Sequence, residues 1–170
     1  SGVLHHMNDP SKGLKSLLGV LKSNGFIKLG LYSELARQSI VEAREYITTK
    51  KIPKNDKGIK DFREDVFSNK VEQISNLRNW DDLYTMSECR DLCFHYQEHR
   101  FTIEELQKLL SSNNLKFLGF VIPTPVKSLY KKYFPEDKTQ TNLQNWAKFE
   151  EKHPTTFASM YQFWVSKTEI

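Results

Sequence analysis

The feature that most constrains this chain lies at its start. A short apolar run, a helix-starting Asp-Pro pair, a leucine stripe, a glycine turn and a second apolar run follow one another within residues 1–31. Ser1-Gly2-Val3-Leu4 reads as the last residues of a buried strand. Asp9 and Pro10 supply an N-cap and a proline at the first helical position, the two signals that open a helix. Leu14, Leu17, Leu18 and Leu21 then recur at i, i+3, i+4 and i+7, the stripe of a helix with one buried face. Ser23-Asn24-Gly25 stops it. Phe26-Ile27-Lys28-Leu29-Gly30-Leu31 is a nearly continuous apolar run between turn signals, as an interior strand requires. Strand end, capped helix, turn and strand make a βαβ crossover, which is right-handed in nearly all proteins. The chain is therefore expected in the α/β class.

Helical spacing dominates the middle. Residues 33–50 carry Leu35, Ala36, Ile40, Ala43 and Ile47, and Pro53 ends the run. Residues 54–80 are polar, with Phe62, Val66, Val71, Ile74 and Leu77 three to five apart, and read as one or two short helices. Residues 87–95 predict another. The stretch 51–100 thus reads as a helical insertion within one domain of 1–170, and insertions of this kind often serve as lids. Order returns at Phe101. Thr102-Ile103-Glu104-Glu105 is a capping box, with Ile103, Leu106, Leu109 and Leu110 as the stripe behind it. Residues 115–122 predict a strand, Thr124-Pro125 another helix start, residues 142–152 a helix with Leu143, Trp146 and Phe149 on one side, and residues 161–165 a final aromatic strand. Trp80, Trp146 and Trp164 are expected to pack in the core or under the insertion.

Composition narrows the function classes. At 170 residues the chain is long enough for a real core. No stretch approaches the roughly 20 apolar residues of a membrane helix, and residues 1–10 lack the basic flank and apolar run of a secretory signal. The net charge is +4, with the two signs interspersed, which argues against a nucleic-acid binder with its concentrated basic stripe. The densest basic groups are Lys50-Lys51 with Lys54 and Lys57, and Lys127 with Lys131-Lys132. Cys89 and Cys93 stand one helical turn apart, a spacing that does not favour a disulfide. A reducing cytoplasm is expected.

Chemistry concentrates on histidine. His5 and His6 fall where a strand's carboxyl end meets a helix start, the place where open α/β sheets bind ligands. Two readings stand: they cap and pack at that corner, or they line an acceptor pocket and take a proton near neutral pH. Tyr32, at the end of the second apolar run, either faces that pocket or covers the sheet. His95 and His99 share one helix face if the helix runs through both. A metal there needs two further ligands, and Cys89 and Cys93 do not complete a zinc pattern, so no metal is expected.

S-G-V-L-H-H-M-N-D-P followed by L-L-G-V-L-K-S-N-G-F-I-K-L-G-L-Y-S resembles the second half of class I S-adenosylmethionine-dependent methyltransferases. There a G-x-L-H-H-x-x-D-P segment ends the fourth strand, and a leucine-rich helix leads through an L-K-P-G-G turn to the fifth. Here Ser23-Asn24 replaces Pro-Gly. H-R-F-T-I-E-E-L at 99–106, then Leu109-Leu110 and the strand at 115–121, is similar to the family's late helix and sixth strand. Residues 161–165 would be its antiparallel seventh. The segments at 30–38 and 87–102 most resemble a bacterial group often fused to tetratricopeptide repeats, while residues 51–80 match no motif.

The resemblance implies a truncated Rossmann-like sheet that begins at the family's fourth strand. Its last strand would lie antiparallel between residues 26–31 and 115–121. It implies methyl transfer from S-adenosylmethionine to an unidentified acceptor in a longer parent. His5 and His6 would be the catalytic pair, Ser1, Gly2 and Val3 the cofactor-side backbone, and Tyr32, His95 and His99 the acceptor pocket. The Gly-rich turn and ribose-binding carboxylate that hold most of the cofactor are not in this sequence, so weak or no cofactor binding is expected of this chain. Without the preceding strands, an open edge at residues 1–4 and 26–31 is expected to pair in a homodimer. The alternative is a non-catalytic helical interaction module derived from such an enzyme.

Overall fold

Asp9 opens the first helix by accepting the backbone N–H groups of Ser11 and Lys12 on one carboxylate oxygen, at 3.0 and 3.1 Å. These donors have no partner inside the helix, which is why a short acceptor before Pro10 starts it here. The computed structural model describes residues 2–69, 71–95 and 97–168. In chain order its elements are α1 (Pro10–Val20), β1 (Phe26–Ser33), α2 (Gln38–Thr49), α3 (Asp56–Phe67), α4 (Met86–Cys93), β2 (Arg100–Phe101), α5 (Ile103–Ser111), β3 (Leu115–Phe120), α6 (Thr124–Tyr133), α7 (Leu143–Lys152) and β4 (Tyr161–Lys167). They divide into two compact units, residues 1–36 with 97–170, and residues 37–96.

The first unit holds a four-stranded mixed sheet in the order β2-β1-β4-β3, which makes the fold α/β. β2 is parallel to β1, while β4 lies antiparallel to both β1 and β3. The last strand therefore sits between the segments at 26–31 and 115–120, as the sequence predicts. Leu29 and Leu31 face Phe163 and Tyr161 across the β1–β4 ladder, and all four are buried. The register slips by one residue at Gly119, whose φ of +135° few other residues adopt. Phe120, Trp146, Phe157, Tyr161 and Phe163 fill the core behind this bulge, and Tyr130 stacks on Trp146 with ring centroids 3.8 Å apart. The capping box at Thr102 and Glu105 forms in full.

Four expectations need correction. The segment read as a strand end is not one in its described part: Leu4–His6 is a single 3-10 turn, closed by His6 N–H to Val3 O and Met7 N–H to Leu4 O. So short a run offers too few ladder bonds to hold a strand, and its own turn bonds satisfy it instead. α2 begins at Gln38 and not at Ser33, because Ser33 ends β1 and its hydroxyl accepts Ala36 N–H at 2.9 Å, making a turn first. α6 starts after Pro123, so Thr124 is its first residue and its hydroxyl caps nothing. Trp164 is 43% exposed. The alternation along β4 buries Tyr161, Phe163 and Val165 and turns residue 164 outward.

The second unit is helical and has its own core. Ile40, Ala43 and Ile47 of α2 pack with Ile59, Phe62 and Val66 of α3, and with Ile74 and Leu77 from a 3-10 turn, Glu72–Asn79. Burying each large side chain of this set stabilises by about 1.5–3 kcal/mol. Residues 51–100, set apart as an insertion, overlap this unit. Asn55 caps α3 through Gly58 N–H at 2.9 Å. A Cβ at Gly58 would fall on the carbonyl oxygen of Pro53, so the turn into α3 admits only glycine. Cys89 and Cys93 are buried free thiols. Among the described residues no helix is long and apolar enough to cross a membrane.

Candidate functional site

β1 delivers Tyr32 at its carboxyl end, and the 3-10 turn before α1 delivers His5 and His6 to the same place. The three rings touch. His5 lies against Tyr32 with centroids 3.8 Å apart, His6 meets His5 edge-on at 4.3 Å, and His6 and Tyr32 are 5.7 Å apart. His5 is wholly buried, whereas His6 and Tyr32 are half-buried.

Backbone carbonyls orient both imidazoles. His5 Nδ1 is 3.3 Å from Gly30 O, and His6 Nδ1 is 3.2 Å from Gln97 O. A carbonyl oxygen only accepts, so each Nδ1 carries the proton, and the neutral ring keeps its basic lone pair on Nε2. The bond at Gly30 also has a structural meaning. It closes a backbone acceptor of β1 where a neighbouring strand would otherwise donate. His99 N–H donates to His5 O at 2.8 Å, and Glu34 N–H to Phe101 O at 2.9 Å, which ties β2 to the same edge. His5 is thus buried against the strand edge, and His6 lies nearer solvent.

His99 joins the cluster through its backbone bond to His5 and through Gln97, whose side-chain nitrogen stands 3.0 Å from His99 Nε2. That amide nitrogen only donates, so the His99 proton sits on Nδ1. Arg100, in the H-R-F-T motif, donates through Nε to Glu34 at 2.8 Å and lies 3.8 Å from Glu98. Gln97 and Glu34 are contributors that residue patterns did not mark. His95 is a correction. α4 ends at Cys93 with Phe94 as its cap, so no helix runs on to His99 and the shared face does not form. His95 is exposed in the second unit.

Behind the sheet, the same strand end is anchored by a buried carboxylate. Ser33 and Tyr161 each donate a hydroxyl to Glu150 at 2.6 Å, one to each oxygen. Ser33, Glu150 and Tyr161 are all buried. Burial pushes the Glu150 carboxyl above its usual range, against the opposite pull of the two hydroxyls. Burial and the adjoining carboxylate likewise push the Tyr161 phenol up.

The cofactor-side residues fit poorly. Ser1 lies outside the described residues. Gly2 has a φ of +79°, and Val3 is 64% exposed. The chain has no Gly-rich turn, and Asp9, the next carboxylate in sequence, is committed to capping α1. Among the described residues no group of three His, Cys, Asp or Glu could hold a metal ion.

No family model matches the chain. Over 130 residues it is 29% identical to an uncharacterized protein of Synechococcus sp., a match taking in 70% of this chain and 30% of that protein. The chain thus spans under a third of the length of that relative.

Proposed function

We propose that this chain is the acceptor-side part of a longer S-adenosylmethionine-dependent methyltransferase with a truncated Rossmann-like sheet. The observation that carries the reading is the His5–His6–Tyr32 cluster at the carboxyl end of β1. That is the end of an open α/β sheet where ligands bind, and the ring nearest solvent is oriented with its basic nitrogen on Nε2. Further support comes from the position of β4, antiparallel between β1 and β3, which is the order that the resemblance implies. In this reading His6 takes the proton that an acceptor N–H or O–H loses, Tyr32 walls the site, and His5 fixes both by sealing the strand edge. Among the described residues no strand pairs with β1 ahead of Tyr32 on that side, and the reading includes a homodimer through it in a reducing cytoplasm.

A second reading draws on the second unit, whose separate core suits a non-catalytic interaction module. Calorimetry distinguishes the two. The Synechococcus relative should bind S-adenosylmethionine with micromolar affinity, and this chain weakly or not at all. Absence of binding by the relative would leave the module. Micromolar binding by this chain alone would overturn the division of labour proposed here.

A further inference from the structure

Beside the histidine cluster, the first unit has an open depression of about 370 Å³ between the start of α1, β2 and α5. Its volume is at the lower end of the range typical of small-molecule sites. Phe101 and Leu109, both half-buried, supply its apolar lining. The rim is rich in donors. Lys108 contributes an ammonium with no carboxylate within ion-pair distance among the described residues. His99 also lines it, with its Nε2 taking the Gln97 amide and its proton on Nδ1. Ser11 adds a hydroxyl.

The other charges on the rim are already engaged. Arg100 is paired with Glu34 and Glu98. Glu105 accepts Thr102 N–H at 2.9 Å in the capping box, where the start of α5 also stabilises negative charge. Lys108 is therefore the cation of this lining without an ion-pair partner among the described residues, while Glu105 keeps its negative charge at the start of α5. We infer that this depression binds a small organic carboxylate, its apolar body on Phe101 and Leu109 and its charge on Lys108 and His99. On the methyl-transfer reading, on which this last step rests, such a carboxylate-bearing molecule is the acceptor.

Benzoate is a suitable probe and benzamide its uncharged counterpart. Titrating each into the ¹⁵N-labelled chain should shift the amide signals of Phe101, Lys108 and Leu109, with benzoate saturating at about fivefold lower concentration than benzamide, as one partly screened ion pair allows. Lys108→Ala, at an exposed position that leaves the core untouched, should remove that difference, and Lys108→Arg should restore it. Equal binding of the two probes, shifts confined to other residues, or an unchanged preference in Lys108→Ala would overturn the inference. Those outcomes leave the cofactor test on the Synechococcus relative unaffected, so the two ideas fail separately.

Discussion

Glu150 offers the sharpest test of how the first unit is built. Its carboxylate is buried between two hydroxyl donors, each at 2.6 Å, and burial raises its folded-state pKa above the ordinary value of 4.5. A raised value means that the folded chain holds this proton more tightly than the unfolded chain does. The sign follows from linkage. The stability tied to that proton is complete below about pH 4.5 and is lost as the pH climbs through the folded value. Glu150→Gln keeps the shape and an acceptor but has nothing to titrate. Wild-type stability relative to Glu150→Gln should therefore fall as the pH rises above about 4.5 and through the raised folded-state value. Urea unfolding of both chains across that range reads it directly, and taking the difference cancels the histidines. Tyr161→Phe supplies the magnitude. It leaves one buried carboxylate oxygen without its donor, costing about 2 kcal/mol, or roughly 4–8 °C in melting temperature for a chain of this size. Combined with Glu150→Gln that cost should shrink, a coupling of at least about 0.5 kcal/mol. A wild-type-minus-mutant difference that stays level, or grows with pH, would refute the account of a buried, reluctantly charged carboxylate.

Three further outcomes are expected. Asp9→Ala, which frees the N–H groups of Ser11 and Lys12, should cost about 1 kcal/mol in urea unfolding, and Asp9→Asn much less. Gly58→Ala should destabilise the second unit by well over 1 kcal/mol because its Cβ meets the Pro53 carbonyl, whereas Gly19→Ala, with nothing within 4 Å, should be neutral or gain up to about 1 kcal/mol. Light scattering at micromolar concentration should give twice the 20.0 kDa of the chain, and a steady monomer would remove the homodimer from the proposed reading.

Much of the first unit was legible in the sequence because its signals are local. Asp9-Pro10, the Thr102–Glu105 capping box and the aromatic run at residue 161 each specify an element through neighbours a few positions away. The strand end expected at residues 1–4 fails in its described part because a short apolar run such as Val3-Leu4 looks the same whether it ends a strand or leads into a turn, and only a partner across the gap decides. Trp164 was misplaced by size, although the period of two along β4 points it outward. His5 and His6 were legible as a pair, but their ring orientations depend on Gly30 O and Gln97 O, backbone atoms that carry no residue signature. Glu150 had a signal that went unused. It stands at i+7 from Leu143 and i+4 from Trp146, on the apolar stripe of α7, where a carboxylate has to find donors.

The place of β4 also orders the life of the chain in time. β1 and β3 do not pair with each other; both pair with β4, whose residues are made after every other element described here. While the chain is being synthesised, β1 therefore has only the two-residue β2 to pair with until a strand more than a hundred residues away is made, and β3 waits for that same strand. The second unit, residues 37–96, meets no such delay, since its helices find each other within one short stretch. Synthesis should thus produce a folded helical unit while the sheet is still unfinished, the sheet closing only when Tyr161–Lys167 arrives between β1 and β3.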